Sequence, residues 1–166
     1  RAKRIVLCKA NQIGGSECII NLVCHGVACN PRNILIAFPN LELTTSFATE
    51  RLQPSVALIP FLRDKLTDEV LDSQNRIRCA ARRLRFSGGS LTLVGAASIA
   101  SLTSRPCGIV IMDEVDLCVQ ASGHAGNPIK ALEGRTSRFF DAKAVFIGAP
   151  IHSAEESGIE SLWTDS

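Results

Sequence analysis

Short runs of wholly apolar residues recur along the chain, and between them lie stretches in which apolar side chains return every three or four positions. Apolar runs without alternation are strands covered on both faces, and amphipathic stretches between them are the helices that cover them. The pattern therefore predicts an α/β domain with a mostly parallel central sheet and helices on both faces. Ile5 to Cys8 reads as the first strand, Lys9 to Gly15 as a loop, and Ser16 to Ala28 as a helix with Ile19, Ile20, Leu22 and Val23 on its apolar side. A second strand runs from Asn33 to Phe38 and ends at Pro39; a helix from Leu41 to Leu52 is expected to stop before Pro54, whose ring cannot sit in a helix interior. Between Ile77 and Val94 the period falls to two, with Leu84 and Phe86 before Gly88-Gly89 and Leu91 and Leu93 after them, which predicts an inserted β-hairpin. Gly108 to Met112 and Ala144 to Ile147 are the remaining buried strands. Pro128 to Arg138 is expected to be helical, and Leu117 to Asn127, with Gly123, His124 and Gly126, a mobile loop.

Length and composition narrow this picture. The 166 residues suit one domain, and 46% hydrophobic with 20% charged residues suits a folded globular chain rather than a disordered tail. No apolar run approaches the roughly 18 residues needed to span a bilayer, and no signal-peptide pattern opens the sequence, so neither membrane insertion nor export is expected. A net charge of +2 does not by itself indicate nucleic-acid binding. Local clusters at Arg1 to Arg4 and at Arg76, Arg78, Arg82, Arg83 and Arg85 suit either a DNA-facing edge or a strand edge protected by charge. The seven cysteines form no CxxC pair, which fits a reducing compartment, and Cys24, His25 and Cys29 lack a fourth ligand at a zinc spacing.

Two segments carry candidate chemistry. A phosphate site needs backbone N–H groups at a helix N-terminus, a lysine for the phosphate oxygens and a hydroxyl for magnesium. Lys9-Ala10-Asn11-Gln12-Ile13-Gly14-Gly15-Ser16 follows a strand and opens a helix, but it has Gly15 where the usual GxxxxGK[ST] loop has lysine. Its lysine stands first, at Lys9, from which it can curl back over the phosphates. A plain glycine turn with Ser16 as helix cap is the alternative. The second segment, Gly108-Ile109-Val110-Ile111-Met112-Asp113-Glu114, is a buried strand ending in two acids. Beside a phosphate loop, Asp113 would hold hydrated magnesium and Glu114 would face the attacking water.

Lys9 to Glu17 resembles the deviant Walker A loop of terminase large subunits of the phage lambda type, and Asp113-Glu114-Val115-Asp116 is similar to their Walker B ending. Ser104-Arg105-Pro106, Gly126-Asn127-Pro128, Glu133-Gly134-Arg135-Thr136 and Ile159-Glu160-Ser161-Leu162-Trp163 continue the resemblance in order along almost the whole chain. The resemblance implies a three-layer P-loop NTPase domain of the ASCE type that uses ATP and Mg2+. It implies a motor that drives double-stranded DNA into a procapsid, acting as a homo-oligomeric ring with a portal protein and a small terminase subunit, in the cytoplasm of an infected or lysogenic host. Carried over residue by residue, it gives Lys9, Gln12, Ile13, Gly14, Gly15, Ser16 and Glu17 to the nucleotide, Ser16 and Asp113 to the metal, Glu114 to water activation, and Arg105 to the transition-state charge.

Departures from the family pattern qualify these expectations. Gly148-Ala149-Pro150 stands where the family has a Ser/Thr-rich coupling triplet ending in proline, so the side-chain hydroxyls are missing. No counterpart of the nuclease domain or of the adenine-covering upstream segment is found within residues 1–166, so no DNA cleavage is expected of this stretch. Two other readings stay open: a superfamily 2 helicase-like ATPase, from the DExD form of residues 113–116, and a prophage terminase module that has lost turnover.

Overall fold

A computed structural model describes residues 3–10, 12–67, 82–123, 126–151 and 157–164. The predicted strands form one sheet. β1 (Arg4–Cys8), β2 (Ile34–Phe38), β3 (Arg83–Phe86), β4 (Gly89–Gly95), β5 (Ile109–Asp113) and β6 (Lys143–Gly148) lie in the order β1-β6-β5-β2-β4-β3. All neighbours are parallel except β3 and β4, so the hairpin joins the sheet through β4, which runs alongside β2. The five parallel strands thus end on one side, where Cys8, Gly148 and Asp113 come level through the pairs Cys8↔Gly148 and Asp113↔Ile147. One strand, β6, separates β1 from β5.

The unbroken apolar runs are explained by burial on both faces. One core cluster places Ile19, Ile20 and Val23 of α1 (Gly15–Cys29) against Ile36, Ile111 and Ile147. The other packs Val110, Met112 and Phe146 against Val115 and Cys118 of α6 (Val115–Ser122), Leu132 of α7 (Pro128–Glu133) and Ile159 of α8 (Gly158–Thr164). β1 is the exception. It is an outer strand, and Ile5 and Leu7 remain 43% and 36% exposed while Val6 and Cys8 pack inward. β3 is the opposite edge, with half-buried Arg83 and exposed Arg85, while Arg76 and Arg78 lie outside the described residues.

Two local expectations need correction. The helix expected to stop before Pro54 continues: α2 (Leu41–Ser46) passes into a π-helical turn (Phe47–Leu52) and then α3 (Gln53–Ala57), with Pro54 in the first turn of α3. The widened turn shifts the backbone register, as in Gln53 N–H donating to the Ala48 carbonyl, so the missing proline N–H falls where the ladder has already been reset. Asn40 starts this assembly by accepting the Leu43 N–H at 2.9 Å. Leu117 to Asn127 was expected as a loop, but α6 occupies it as far as Ser122, because Val115 and Cys118 bury one helical face completely. The short α4 (Pro60–Arg63) and α5 (Ile99–Leu102) complete the helices, and α7 is followed by a 3-10 turn, Gly134–Thr136. Among the described residues no helix is long and apolar enough to cross a membrane.

Phe146 lies fully buried opposite Met112. Phe146→Ala should lower the unfolding free energy by about 3–5 kcal/mol, read as a lower denaturant midpoint at unchanged slope; a loss below about 1 kcal/mol would contradict this packing.

Candidate functional site

The loop after β1 begins with its backbone fixed to the neighbouring strand, Lys9 N–H donating to the Gly148 carbonyl at 2.9 Å. Gln12 (φ 62°) and Gly14 (φ 85°) then take left-handed conformations, turning the chain sharply into α1. Gly14 is the N-cap residue, and no side chain caps the helix. Ser16 sits one residue inside α1 rather than capping it, which removes the plain-turn reading of that serine. An uncapped N-terminus of a 15-residue helix leaves backbone N–H groups and the positive end of the helix dipole turned to the loop. Gln12, Ile13 and Gly14 are exposed here, and Asn11 lies outside the described residues.

Lys9 explains the unusual loop sequence. Its side chain is only 6% exposed and ends 3.1 Å from a carboxylate oxygen of Glu114. On the way, its stem crosses Gly15 so closely that a Cβ there would stand 2.6 Å from Lys9 Cε and 2.9 Å from Cδ. A side chain at position 15 and a lysine arriving from position 9 compete for one space. Glycine at 15 is thus the steric counterpart of lysine at 9, and the ammonium is delivered near the start of α1 from the opposite end of the loop.

The two acids sit at the end of β5. Asp113 is 6% exposed, and its Oδ1 accepts the Glu114 N–H at 3.1 Å. Burial, reinforced by the Glu114 charge and opposed by Lys9, raises the Asp113 carboxyl to about 6. Glu114 is the N-cap residue of α6 and, at φ 54° and ψ 62°, one of two non-glycine residues in the left-handed region among those described. Such a conformation costs about 1–3 kcal/mol and persists where surrounding contacts dictate it. Here they are the Asp113 carboxylate on its N–H, Cys118 N–H on its carbonyl at 2.9 Å, and Lys9 on its side chain. Gly148 closes the site from β6: a Cβ there would lie 3.1 Å from Val115 N and 3.7 Å from Glu114 Cα.

The structure thus brings together Lys9, Gly14, Gly15, Asp113 and Glu114, with Ser16 in the first turn of the same helix. It separates two other candidates from them. Arg105 precedes β5 and lines, with Arg83, Asn33 and Cys107, a hollow of about 250 Å3. That is the end of β5 opposite Asp113, so Arg105 does not approach Lys9 or Glu114 within this chain. Glu17 points outward to an ion pair with Arg51 at 2.7 Å, both side chains being half exposed or more. Two motif residues act as braces: Arg135 donates to the Thr103 carbonyl at 2.7 Å, and Glu133 pairs with Arg4 at 2.7 Å.

The charged form of Asp113 is disfavoured by the fold, so its protonated form contributes stability that is complete below about 3.9 and lost as pH rises through about 6. Asp113→Asn should accordingly be more stable than the parent at pH 7, on the order of 2 kcal/mol, with the gap shrinking as pH falls from 6 to 4. A pH-independent gap in thermal melts would contradict that origin.

Solved structures with the same fold include phage large terminases. The large terminase of bacteriophage HK97 aligns with 99% of this chain at TM-score 0.73 and 14% identity. An arginine-to-alanine mutant of the Thermus phage P74-26 large terminase ATPase domain aligns with 92% at TM-score 0.61 and 17% identity, and another structure of that domain with 89% at TM-score 0.56 and 19% identity. The chain spans 32% of the HK97 protein and 62% and 59% of the two Thermus phage chains. No curated protein matches at a significant level. The family model for the ATPase domain of phage terminase large subunit gpA matches residues 1–166, and the chain belongs to that family.

Proposed function

We propose that this chain is the ATP-hydrolysing domain of a packaging motor that moves double-stranded DNA into a procapsid. The observation that carries the reading is the path of Lys9 across Gly15 to Glu114, which joins a phosphate-binding cation and a candidate catalytic acid at the head of an uncapped helix. Family membership favours this over the helicase-like alternative.

In this reading Lys9 and the N–H groups at the start of α1 bind the β- and γ-phosphates, with Gln12, Ile13, Gly14 and Gly15 forming the surrounding loop. The Ser16 hydroxyl and Asp113 carboxylate are hard oxygen donors suited to magnesium, and Asp113 is a buried acid whose pKa is raised first by burial and then by the neighbouring Glu114 charge, so that a cation beside it would favour its charged form. They would hold the ion, which when bound offsets charge on the phosphate oxygens. The nucleotide's phosphates compete with Glu114 for the Lys9 ammonium. As Lys9 turns to them, the Glu114 carboxylate is released to accept a proton from the attacking water. Glu17 and Arg105 have no place in this cis arrangement. A homo-oligomeric ring, the portal protein and the small terminase subunit are the partners we propose, in the host cytoplasm and transiently at the procapsid portal.

In the full-length protein, Glu114→Gln should reduce steady-state ATP hydrolysis by at least about 10²-fold while nucleotide still binds; unchanged turnover would remove Glu114 from the mechanism. Gly15→Ala should push the Lys9 stem aside and weaken nucleotide binding by about 10–100-fold, the worth of a hydrogen bond to a charged group. Calorimetric titration giving the parent affinity would refute the role assigned to the glycine.

A further inference from the structure

We propose that Asp116 is a positioning residue that ties Ile151, just after β6, and the start of α8 to the turn carrying Glu114, so that they shift together. The inference rests on the reading of Glu114 as the water-activating acid.

Asp116 is 3% exposed. Its Oδ2 accepts the Ser157 hydroxyl at 2.8 Å and the Ile151 N–H at 3.2 Å, and its Oδ1 accepts the Ile159 N–H at 2.9 Å. One carboxylate therefore gathers both ends of the segment leading from β6 into α8. Capping of α8 alone does not require this reach: Ser157, 1% exposed, already accepts the Glu160 N–H at 3.2 Å. The bond to Ile151 extends the clasp to the residue directly after Gly148-Ala149-Pro150.

The other side of the clasp is the site. Asp116 stands in the first turn of α6, two residues beyond Glu114. Val115 between them is fully buried, and a Cβ on Gly158 would stand 3.4 Å from its side chain and 3.5 Å from Asp116 Oδ1, so α8 rests against that same turn. A Cβ on Gly148 would stand 3.1 Å from Val115 N, so β6 runs close beside the turn, and the Gly148 carbonyl accepts from Lys9 N–H. A displacement of Ile151 or of the start of α8 is thus passed toward Glu114 through a buried carboxylate that holds three donors. With no hydroxyl at positions 148 and 149, Asp116 and Ser157 supply the polar side-chain link between nucleotide site and following segment.

The test compares Asp116→Asn and Ser157→Ala with the full-length parent, measuring kcat, KM for MgATP and nucleotide Kd. Asn keeps the volume but turns an amide donor toward a donor. Asp116→Asn should lower kcat by about tenfold or more, since a misplacement of about 1 Å can cost as much as 10²-fold, with Kd held within about threefold; Ser157→Ala should do the same to a smaller degree. Parent kcat in folded Asp116→Asn overturns the proposal. So does a fall in kcat that tracks loss of Kd and of thermal stability, the mark of a merely structural contact. If Asp116→Asn does not fold, Ser157→Ala decides, and unchanged kcat there overturns it. Glu114→Gln, run alongside, separates the two claims: normal turnover in that variant defeats the reading of Glu114, whereas abolished turnover with an unaffected Asp116→Asn defeats the clasp alone.

Discussion

The site depends on one steric exchange: the stem of Lys9 occupies the space that a side chain at position 15 would fill. From that exchange follow the glycine at 15, the absence of lysine from its usual place before the serine, and the meeting of an ammonium from the loop after β1 with the acid that follows β5. Because Lys9 is nearly buried, its charge needs a partner, and Glu114 supplies one. The pair also supports the left-handed backbone of Glu114, since it holds the side chain of a residue whose conformation is unfavourable on its own.

The sheet makes the exchange possible. With β6 between β1 and β5, the loop and the acids are one strand apart rather than adjacent, and a long lysine side chain bridges the gap. The ends of the three strands are levelled by their register, and both faces of β5 and β6 are sealed by apolar contacts. That sealing raises the Asp113 pKa, because the carboxylate at the tip of a buried strand has lost much of its water. The same burial that fixes the acid's position makes its charge costly, and the cost falls when positive charge approaches.

Much of this was legible in the residues. Apolar runs without alternation located β2, β5 and β6, and Gly88-Gly89 located the hairpin, because burial and turn geometry act through short stretches of chain. The continuation of helix past Pro54 was not legible, since it depends on a π turn whose hydrogen bonds skip a register that hydrophobic spacing does not report. The helix in place of a loop after Leu117 was missed because Gly123 and Gly126 punctuate the sequence after the helix has ended. Lys9 was recognised as the candidate cation, but its dependence on Gly15 appears only in three dimensions. Arg105 and Glu17 were assigned by resemblance, and position separates them from the acids: one precedes a strand whose far end carries the site, the other faces a surface arginine. Asp116 was visible only as the last letter of a motif, and its three donors come from residues 35 to 43 positions away.

Gly148 carries a consequence for how this domain could be altered. Its carbonyl receives the start of the loop after β1, and its Cα faces the backbone nitrogen of Val115 at a spacing that leaves a Cβ 3.1 Å away. A serine placed there to restore the missing hydroxyl would arrive with a methylene wedge against the first turn of α6, and that turn would have to yield by a few tenths of an ångström. Regaining the hydroxyl is therefore not an independent step. It is bound to the geometry of the neighbouring helix, so a lineage or a designer would have to change the two together.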